Sequence, residues 1–427
     1  MKFNTKLNPI KAENLLAVAF DVSMDKLNCY SQWGDKTIHF FNDEFENRIP
    51  TIGKKLNDFF SYAQSQGFAG LHIVCEPTGG YENKLIDCAL KKGCRISYVS
   101  GESVNKFQAV ENNESDKSDE KDPRVIFKLF LNGKLIKYRK LPLLYQKLRT
   151  LSRFYEQDSQ TITDIKNKIH DTLKNLFPDF SFKNAFLFET SGIAFMTLFN
   201  GNPYAIVKTG KTRFVKRMKK LSPRARKTTL ERLFNDAISS VKTDMDEPII
   251  ELYQNRIKTL WADYNFHKNS LLKTRQAMED IYDQLLEKRE QVPSVIKGLF
   301  SKINLARIIS QTGPLSDFNS ARQIKRFGGL HLRVRQSGKY MGKVKLSKKG
   351  RIDLRHVMAQ SIFHLIKKDR LLGQFYHRKK DQGMPGTKAM TVVMRKAIDI
   401  IFALSKPDAV FDEQRLFACE SQFAKAA

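Results

Sequence analysis

LLAVAFDVSMDKLNCY, residues 15–30, is the stretch on which the fold turns. Its dense apolar content predicts a buried strand with Asp21 near its middle, and KTIHFFNDE predicts an antiparallel partner across a Trp33-Gly34-Asp35 turn. A helix follows in IPTIGKKLNDFFSYAQSQG, closed by Gly67. Next come a short strand in LHIVCEP, a helix from Glu82 to Lys92 closed by Gly93, and a strand in RISYVS. Strands followed by alternating helix and strand predict a mixed α/β sheet.

That order of elements fits a sheet of the ribonuclease H or RuvC type. After Leu141 the strand signals largely vanish, and long amphipathic patterns begin with LYQKLRTLSRFYEQDSQTITDIKNKIHDTLKNLF. From Ile250 an apolar seam recurs in steps of three and four through Tyr253, Ile257, Leu260, Tyr264, His267, Leu271, Thr274, Met278, Ile281 and Leu285. A helical hairpin inside one subunit and a dimerising coiled coil both explain such a seam. Gln291-Val292-Pro293 ends it. The expected organisation is an α/β domain over 1–135, a helical and coiled-coil region over 136–290, and a mainly helical domain over 291–427.

The chain has 427 residues and a net charge of +29. Residues 1–128 carry 17 Lys and Arg against 18 Asp and Glu, which leaves 57 against 27 for the remainder. The whole excess lies beyond the first domain, and it points to a polyanion, nucleic acid, as partner. No apolar run is long enough for a membrane span, and the polar start lacks the core of a secretory signal, so the expected location is the cytoplasm. Five cysteines without zinc spacing read as reduced structural thiols.

Asp21 sits where a strand leaves the apolar interior and Glu76 ends a second strand. Asp119 and Asp122, in ENNESDKSDEKDPRVIF (residues 111–127), stand three apart before an apolar run. Such a carboxylate set suits two Mg²⁺ or Mn²⁺ ions in phosphoryl transfer, because hard cations take oxygen ligands. Taken singly, Asp21 and Glu76 also read as turn or cap residues, and Asp119 and Asp122 as solvated surface.

FDVS with Asp21, E-P-T-G-x-Y from Glu76 to Tyr81, and K-S-D-E-K-D from Lys117 to Asp122 resemble the D, E and D-x-x-D motifs of the DEDD transposases of bacterial insertion sequences. These are bridge-RNA-guided recombinases related to the Piv-type DNA invertases. SARQIKRFGGLHLRVRQSGKYMGKVKLSKKGRIDLRHVM, residues 320–358, is similar to the family's C-terminal transposase block. Two departures stand out. Pro123 replaces a common Ala, at a place where a helix's first turn tolerates proline, and VIKGLFSKINLARIISQTG lacks the family's I-P-G-I-G.

The resemblance implies a RuvC-like domain with a two-metal site at Asp21, Glu76, Asp119 and Asp122, and Ser337 as nucleophile in a covalent phosphoserine link to DNA. It further implies donor and target DNA, a structured noncoding bridge RNA, and a homodimer or homotetramer as partners, with no membrane and action at the bacterial nucleoid. Read from the residues alone, Ser337 is a turn serine before Gly338, and Ser347 competes for its role. A metal-dependent nuclease using water and a silent nucleic-acid-binding regulator are the alternatives. For phosphate contacts the sequence offers Lys216, Arg217, Lys219, Lys220, Arg224, Arg226 and Lys227, in a run without acids, together with Arg335 and Lys339 beside Ser337.

Overall fold

In a computed structural model of the chain, the described residues are 14–33, 36–37, 43–112, 122–242, 245–296, 298–333, 336–337, 340–342 and 344–413. They belong to two units, Met1–Lys140 and Leu141–Ala427.

In the first unit the single strand expected over 15–30 is a hairpin of β1 (Leu15–Val22) and β2 (Lys26–Tyr30), with Ala19 opposite Tyr30 and Val22 opposite Leu27. The break is local in origin. The backbone N–H and the hydroxyl of Ser23 both donate to the Lys26 carbonyl at 2.9 Å, closing a turn over Ser23-Met24-Asp25-Lys26. Asp21 therefore stands at the end of a strand and not in its middle. The predicted partner over 36–44 is divided: β3 (Gln32–Trp33) pairs with β4 (Lys36–Thr37), and β5 (Asp43–Glu46) pairs with β2. Residues 38–42 lie outside the described residues.

The elements that follow are α1 (Ile49–Ser65), β6 (Gly70–Cys75), α2 (Asn83–Lys91), β7 (Arg95–Tyr98), α3 (Gly101–Asn112), α4 (Asp122–Leu131) and β8 (Ile136–Lys137). The sheet order is β5-β2-β1-β6-β7-β8, parallel across β1, β6 and β7 and antiparallel elsewhere. Alternation along β1 sorts its side chains. Leu16, Val18, Phe20 and Val22 join Ile52, Leu56 and Phe59 of α1 in one core. Small Ala17 and Ala19 let Val104 of α3 and Val125, Ile126 and Leu129 of α4 close on the other face. Each fully buried aliphatic or aromatic side chain contributes about 1.5–3 kcal/mol to this packing. Cys29, Cys75, Cys88 and Cys94 are buried and free, and burial pushes the Cys29 thiol up to about 12 and that of Cys94 to about 11. Cys419 lies outside the described residues.

The second unit is built on α5 (Leu143–Leu176) and, after α6 (Thr190–Phe199), α7 (Pro203–Thr209), α8 (Lys211–Leu221) and α9 (Lys227–Ser240), on the 41-residue α10 (Glu247–Glu287). The apolar seam of α10 packs on α5 of the same chain, antiparallel. The Tyr145 hydroxyl meets Glu290 at 3.4 Å near one end, and His267 meets Asp158 at 2.9 Å midway. Leu173 and Ile257 share a core at the other end. Seam residues Ile257, Leu260, Tyr264, Met278, Ile281 and Leu285 are buried there.

Two cores occupy the two ends of this hairpin. One encloses α6 to α9. The other encloses α11 (Lys302–Thr312), α12 (Ala321–Phe327), α13 (Ile352–Phe363), α14 (Leu371–Asp381) and α15 (Gly386–Leu404). Between α12 and α13 runs a small β-arm, in which β9 (Leu332–Arg333) pairs with β12 (Lys345–Leu346) and β10 (Gln336–Ser337) with β11 (Tyr340–Met341). No helix among the described residues is long and apolar enough to cross a membrane.

Candidate active site

β1 and β6 run parallel side by side, with Phe20 level with Cys75, so Asp21 and Glu76 come next at the carboxyl ends of neighbouring strands. Side-chain alternation puts Asp21 on the face of Ala17 and Ala19, and Glu76 on the face of Val74. That is the face covered by α3 and α4. Both carboxylates are half-buried. Asp122 is the first residue of α4, whose Val125, Ile126 and Leu129 fix that helix against the sheet. Pro123, the departure from the family pattern, stands in the helix's first turn, where no backbone donor is missed. Asp119 and the side chain of Asp122 lie outside the described residues. Among the described residues no group of three or more His, Cys, Asp or Glu stands together as a metal cluster.

Glu76 reaches the start of α3. A Cβ added to Gly101 would stand 2.2 Å from its Oε1, so the glycine is what lets the carboxylate lie there. The donor set suits a hard divalent ion, since Asp21 and Glu76 offer carboxylate oxygens and neighbouring Cys75 is a buried thiol held protonated by burial, with Glu82 and Glu76 adding to the shift.

The loop that follows Glu76 is organised by Glu82, which the sequence marks only as the start of a helix. Its Oε2 accepts from Gly80 N at 2.9 Å and from both Thr78 N and Thr78 Oγ1 at 3.2 Å, while Gly79 and Gly80 take positive φ of 77° and 123°. Glu82 is 6% exposed, so these donors stand in for the water it has lost. Buried Asn47 was missed as well. Its amide donates to Ser23 O at 2.8 Å and to Tyr81 O at 3.1 Å, tying the turn after Asp21 to the loop after Glu76, and Lys84 Nζ holds the Asn47 carbonyl at 2.8 Å. Two glycines followed by a glutamate were the available signal for Glu82. Asn47 gives none, because its partners are distant backbone carbonyls.

Ser337 is in β10, opposite Tyr340. Its side chain, Arg335 and Lys339 lie outside the described residues. Ser347 is buried. Its N–H donates to His331 O at 2.9 Å and its hydroxyl accepts from Lys349 N at 3.4 Å, the bonding of a turn residue. On α8, Phe214 and Met218 face the core while Lys216, Arg217, Lys219 and Lys220 are exposed. Arg224, Arg226 and Lys227 are exposed in the segment that follows. Arg217 lies over the Phe199 ring at 5.2 Å.

Residues 18–178 match the family model of DEDD transposases of the IS110 type, described as "Transposase", and residues 296–377 match the one described as "Transposase IS116/IS110/IS902 family". The first match spans Asp21, Glu76, Asp119 and Asp122, and the second spans the β-arm with Ser337. A protein of Streptomyces coelicolor, "Insertion element IS110 uncharacterized 43.6 kDa protein", is 21% identical over 375 residues, 87% of this chain and 90% of that protein.

Proposed function

Since the chain belongs to the IS110 family of DEDD transposases, metal-dependent enzymes that act on DNA, we propose that it cuts and rejoins DNA through a covalent phosphoserine intermediate at Ser337. The observation that supports its metal-site half is the placing of Asp21 and Glu76 on one sheet face, at the carboxyl ends of adjacent parallel strands, beneath a helix that opens with Asp122, while the assignment of Ser337 rests on the family resemblance.

In this reading Asp21, Glu76, Asp119 and Asp122 would hold two Mg²⁺ or Mn²⁺ ions. Bound there, the ions would supply charge neutralisation at the phosphate and a lowered pKa for the attacking hydroxyl. The Ser337 oxygen forms a bond to phosphorus as its proton passes to solvent, and the bond to one deoxyribose oxygen breaks, that oxygen taking up a proton from solvent to leave a free sugar hydroxyl. Attack by the freed or incoming hydroxyl on the phosphoserine reverses the exchange without an external energy source. Glu82 and Asn47 hold the Asp21 and Glu76 loops in register. The basic face of α8, with Arg335 and Lys339 near the nucleophile, tracks phosphates of donor and target DNA and of a structured noncoding bridge RNA that selects the sites by pairing. The proposed division of labour assigns metal chemistry to 1–135, nucleic-acid holding to 136–290 and nucleophile delivery to 291–427. The working assembly is a homodimer or homotetramer.

The test follows radiolabelled DNA in Mg²⁺ with RNA and both DNA partners present. Wild-type protein becomes covalently labelled on the peptide containing Ser337, and Ser337→Ala gives no adduct. Asp122→Asn loses strand cleavage by a factor on the order of 100 or more while keeping its fold and nucleic-acid affinity, because a ligand is lost and not a core contact. Free DNA ends without any adduct would favour hydrolysis by water, and wild-type recombination by Asp122→Asn would sink the metal assignment.

A further inference from the structure

The two sequence blocks on either side of the β-arm, SARQIKRFGGL (residues 320–330) and SKKGRIDLR (residues 347–355), meet at its base. Lys348 N donates to Gly329 O at 2.9 Å, Ser347 N to His331 O at 2.9 Å and Arg351 N to Phe327 O at 2.8 Å. The backbones approach too closely for side chains. At Gly350, with φ of +146°, a Cβ would stand 2.4 Å from Phe327 O and 2.5 Å from Gly329 N. At Gly329, with φ of +66°, it would stand 2.7 Å from Arg355 Nη1 and 2.8 Å from the Lys348 carbonyl carbon. Leu354 packs against Gly328.

Arg355 spans this junction. Its Nη1 donates to Gly328 O at 2.9 Å and to Gly350 O at 3.2 Å, so one guanidinium nitrogen holds a carbonyl from the chain entering the arm and another from the chain leaving it. The junction is anchored behind as well. Arg351 Nε donates to Gln311 Oε1 at 2.9 Å, and Arg149 of α5 holds the carbonyls of Ser310 and Gln311 at 2.9 and 3.2 Å. Beyond the junction, the described pairing of the arm consists of two ladders of two residues each. Such short ladders cannot set a direction by themselves.

We propose that Arg355 is a positioning residue, a latch at the root of the arm that sets where the arm points and thereby where Ser337 is presented. The inference rests on the reading of Ser337 as nucleophile. It also gives the flanking signatures a role distinct from DNA contact: their glycines, Leu354 and Arg355 build a joint. Charge-assisted bonds to two carbonyls are stronger than neutral ones, and a displacement of about 1 Å at a reacting atom costs about 100-fold in rate.

The experiment compares wild-type protein, Arg355→Lys and Arg355→Ala by amide hydrogen exchange and by the rate of covalent DNA attachment. In Arg355→Ala, peptides spanning 332–346 exchange at least about 10-fold faster while those of α11 and α15 keep their protection. Adduct formation at saturating DNA falls about 10- to 100-fold, with the half-saturating DNA concentration unchanged. Arg355→Lys, which keeps the charge but on a shorter side chain without the planar head that places Nη1 between the two carbonyls, lies between on both measures; if the Ala variant does not fold, the Lys variant is read alone. In a variant that folds, unchanged arm exchange, an unchanged adduct rate, or exchange in α11 and α15 raised as much as in the arm would overturn the latch. Wild-type recombination without an adduct on the Ser337 peptide would instead overturn the nucleophile, and arm exchange would still report on the latch.

Discussion

Two loops that carry proposed chemistry are each gathered by one charged side chain, with opposite polarity. After β6, the Glu82 carboxylate collects the donors of Thr78 and Gly80. At the root of the β-arm, the Arg355 guanidinium collects the acceptors of Gly328 and Gly350. What stands behind them differs. Glu76 follows directly from a strand buried at every position and paired on both sides, whereas the described pairing around Ser337 consists of two-residue ladders. Glu82 therefore refines a position that the sheet already defines, whereas Arg355 adds a charged clasp to a junction held among the described residues by backbone bonds from Lys348, Ser347 and Arg351. A fixed half and an aimed half suit the proposed exchange, in which the Ser337 hydroxyl should not act before the DNA is in place.

The harshest challenge to the fixed half is Gly101→Ala. The added Cβ would overlap Glu76 Oε1, and the carboxylate is the part able to yield, because it ends a flexible side chain while Gly101 begins a helix. The fold should survive with Glu76 turned away, and strand cleavage should fall about 100-fold with nucleic-acid binding intact. Near-normal cleavage would mean that the Glu76 position seen here is not the one the reaction uses.

Much of the fixed half was legible in the sequence. The dense apolar run from Leu15 announces a buried strand around Asp21, whereas the sharing of one helix-covered face by Ala17, Ala19 and Asp21 comes from the structure. Glu76 after LHIVC is read in the same way. The turn at Ser23 was not legible as a break, because apolar residues resume at once with Leu27 and because the serine's bonds to Lys26 carry little signal against so strong a strand pattern. Helix α3 was also missed: GESVNKFQAVEN has weak periodicity, and its place is fixed by Val104 meeting Val99 and Val125 in a shared core. On the aimed half, glycines at 329 and 350 were visible, but that they touch each other depends on the return of the chain after the arm, which no local pattern encodes.

A second test separates the halves by pH. His72 in β6 is buried, with its Nε2 2.9 Å from Ser97 Oγ and the Phe130 ring edge-on, and burial together with the Arg95 charge holds its pKa down from 6.5 to about 4. The folded form thus keeps the imidazole neutral. The unfolded chain takes up the proton first as pH falls below about 6.5, so this contribution is fully present above that pH and is lost progressively down to about pH 4. The loss is on the order of 2–3 kcal/mol. Urea unfolding between pH 7 and pH 4, followed by exchange in β6 and β7, should show it, and His72→Gln should flatten it. An unaltered acid slope in that variant would place the sensitivity elsewhere.

The smallest effect is expected for Glu82→Gln, and its smallness is the point. The amide keeps one acceptor oxygen for Gly80 and Thr78 but loses the charge that strengthens those bonds, a change worth about 1–2 kcal/mol. Because Pro77 to Tyr81 are also tied through Tyr81 O to the Asn47 amide, and because Cys75 is locked between β1 and β7, the loop should loosen without releasing Glu76. The melting temperature of the first unit should drop by a few degrees and cleavage by only several-fold, in contrast to the larger loss in Arg355→Ala, where no strand stands behind the latch. If Glu82→Gln proved as inactive as Asp122→Asn while folding normally, Glu82 would belong to the chemistry itself, and the sheet would no longer be the element that defines the fixed half.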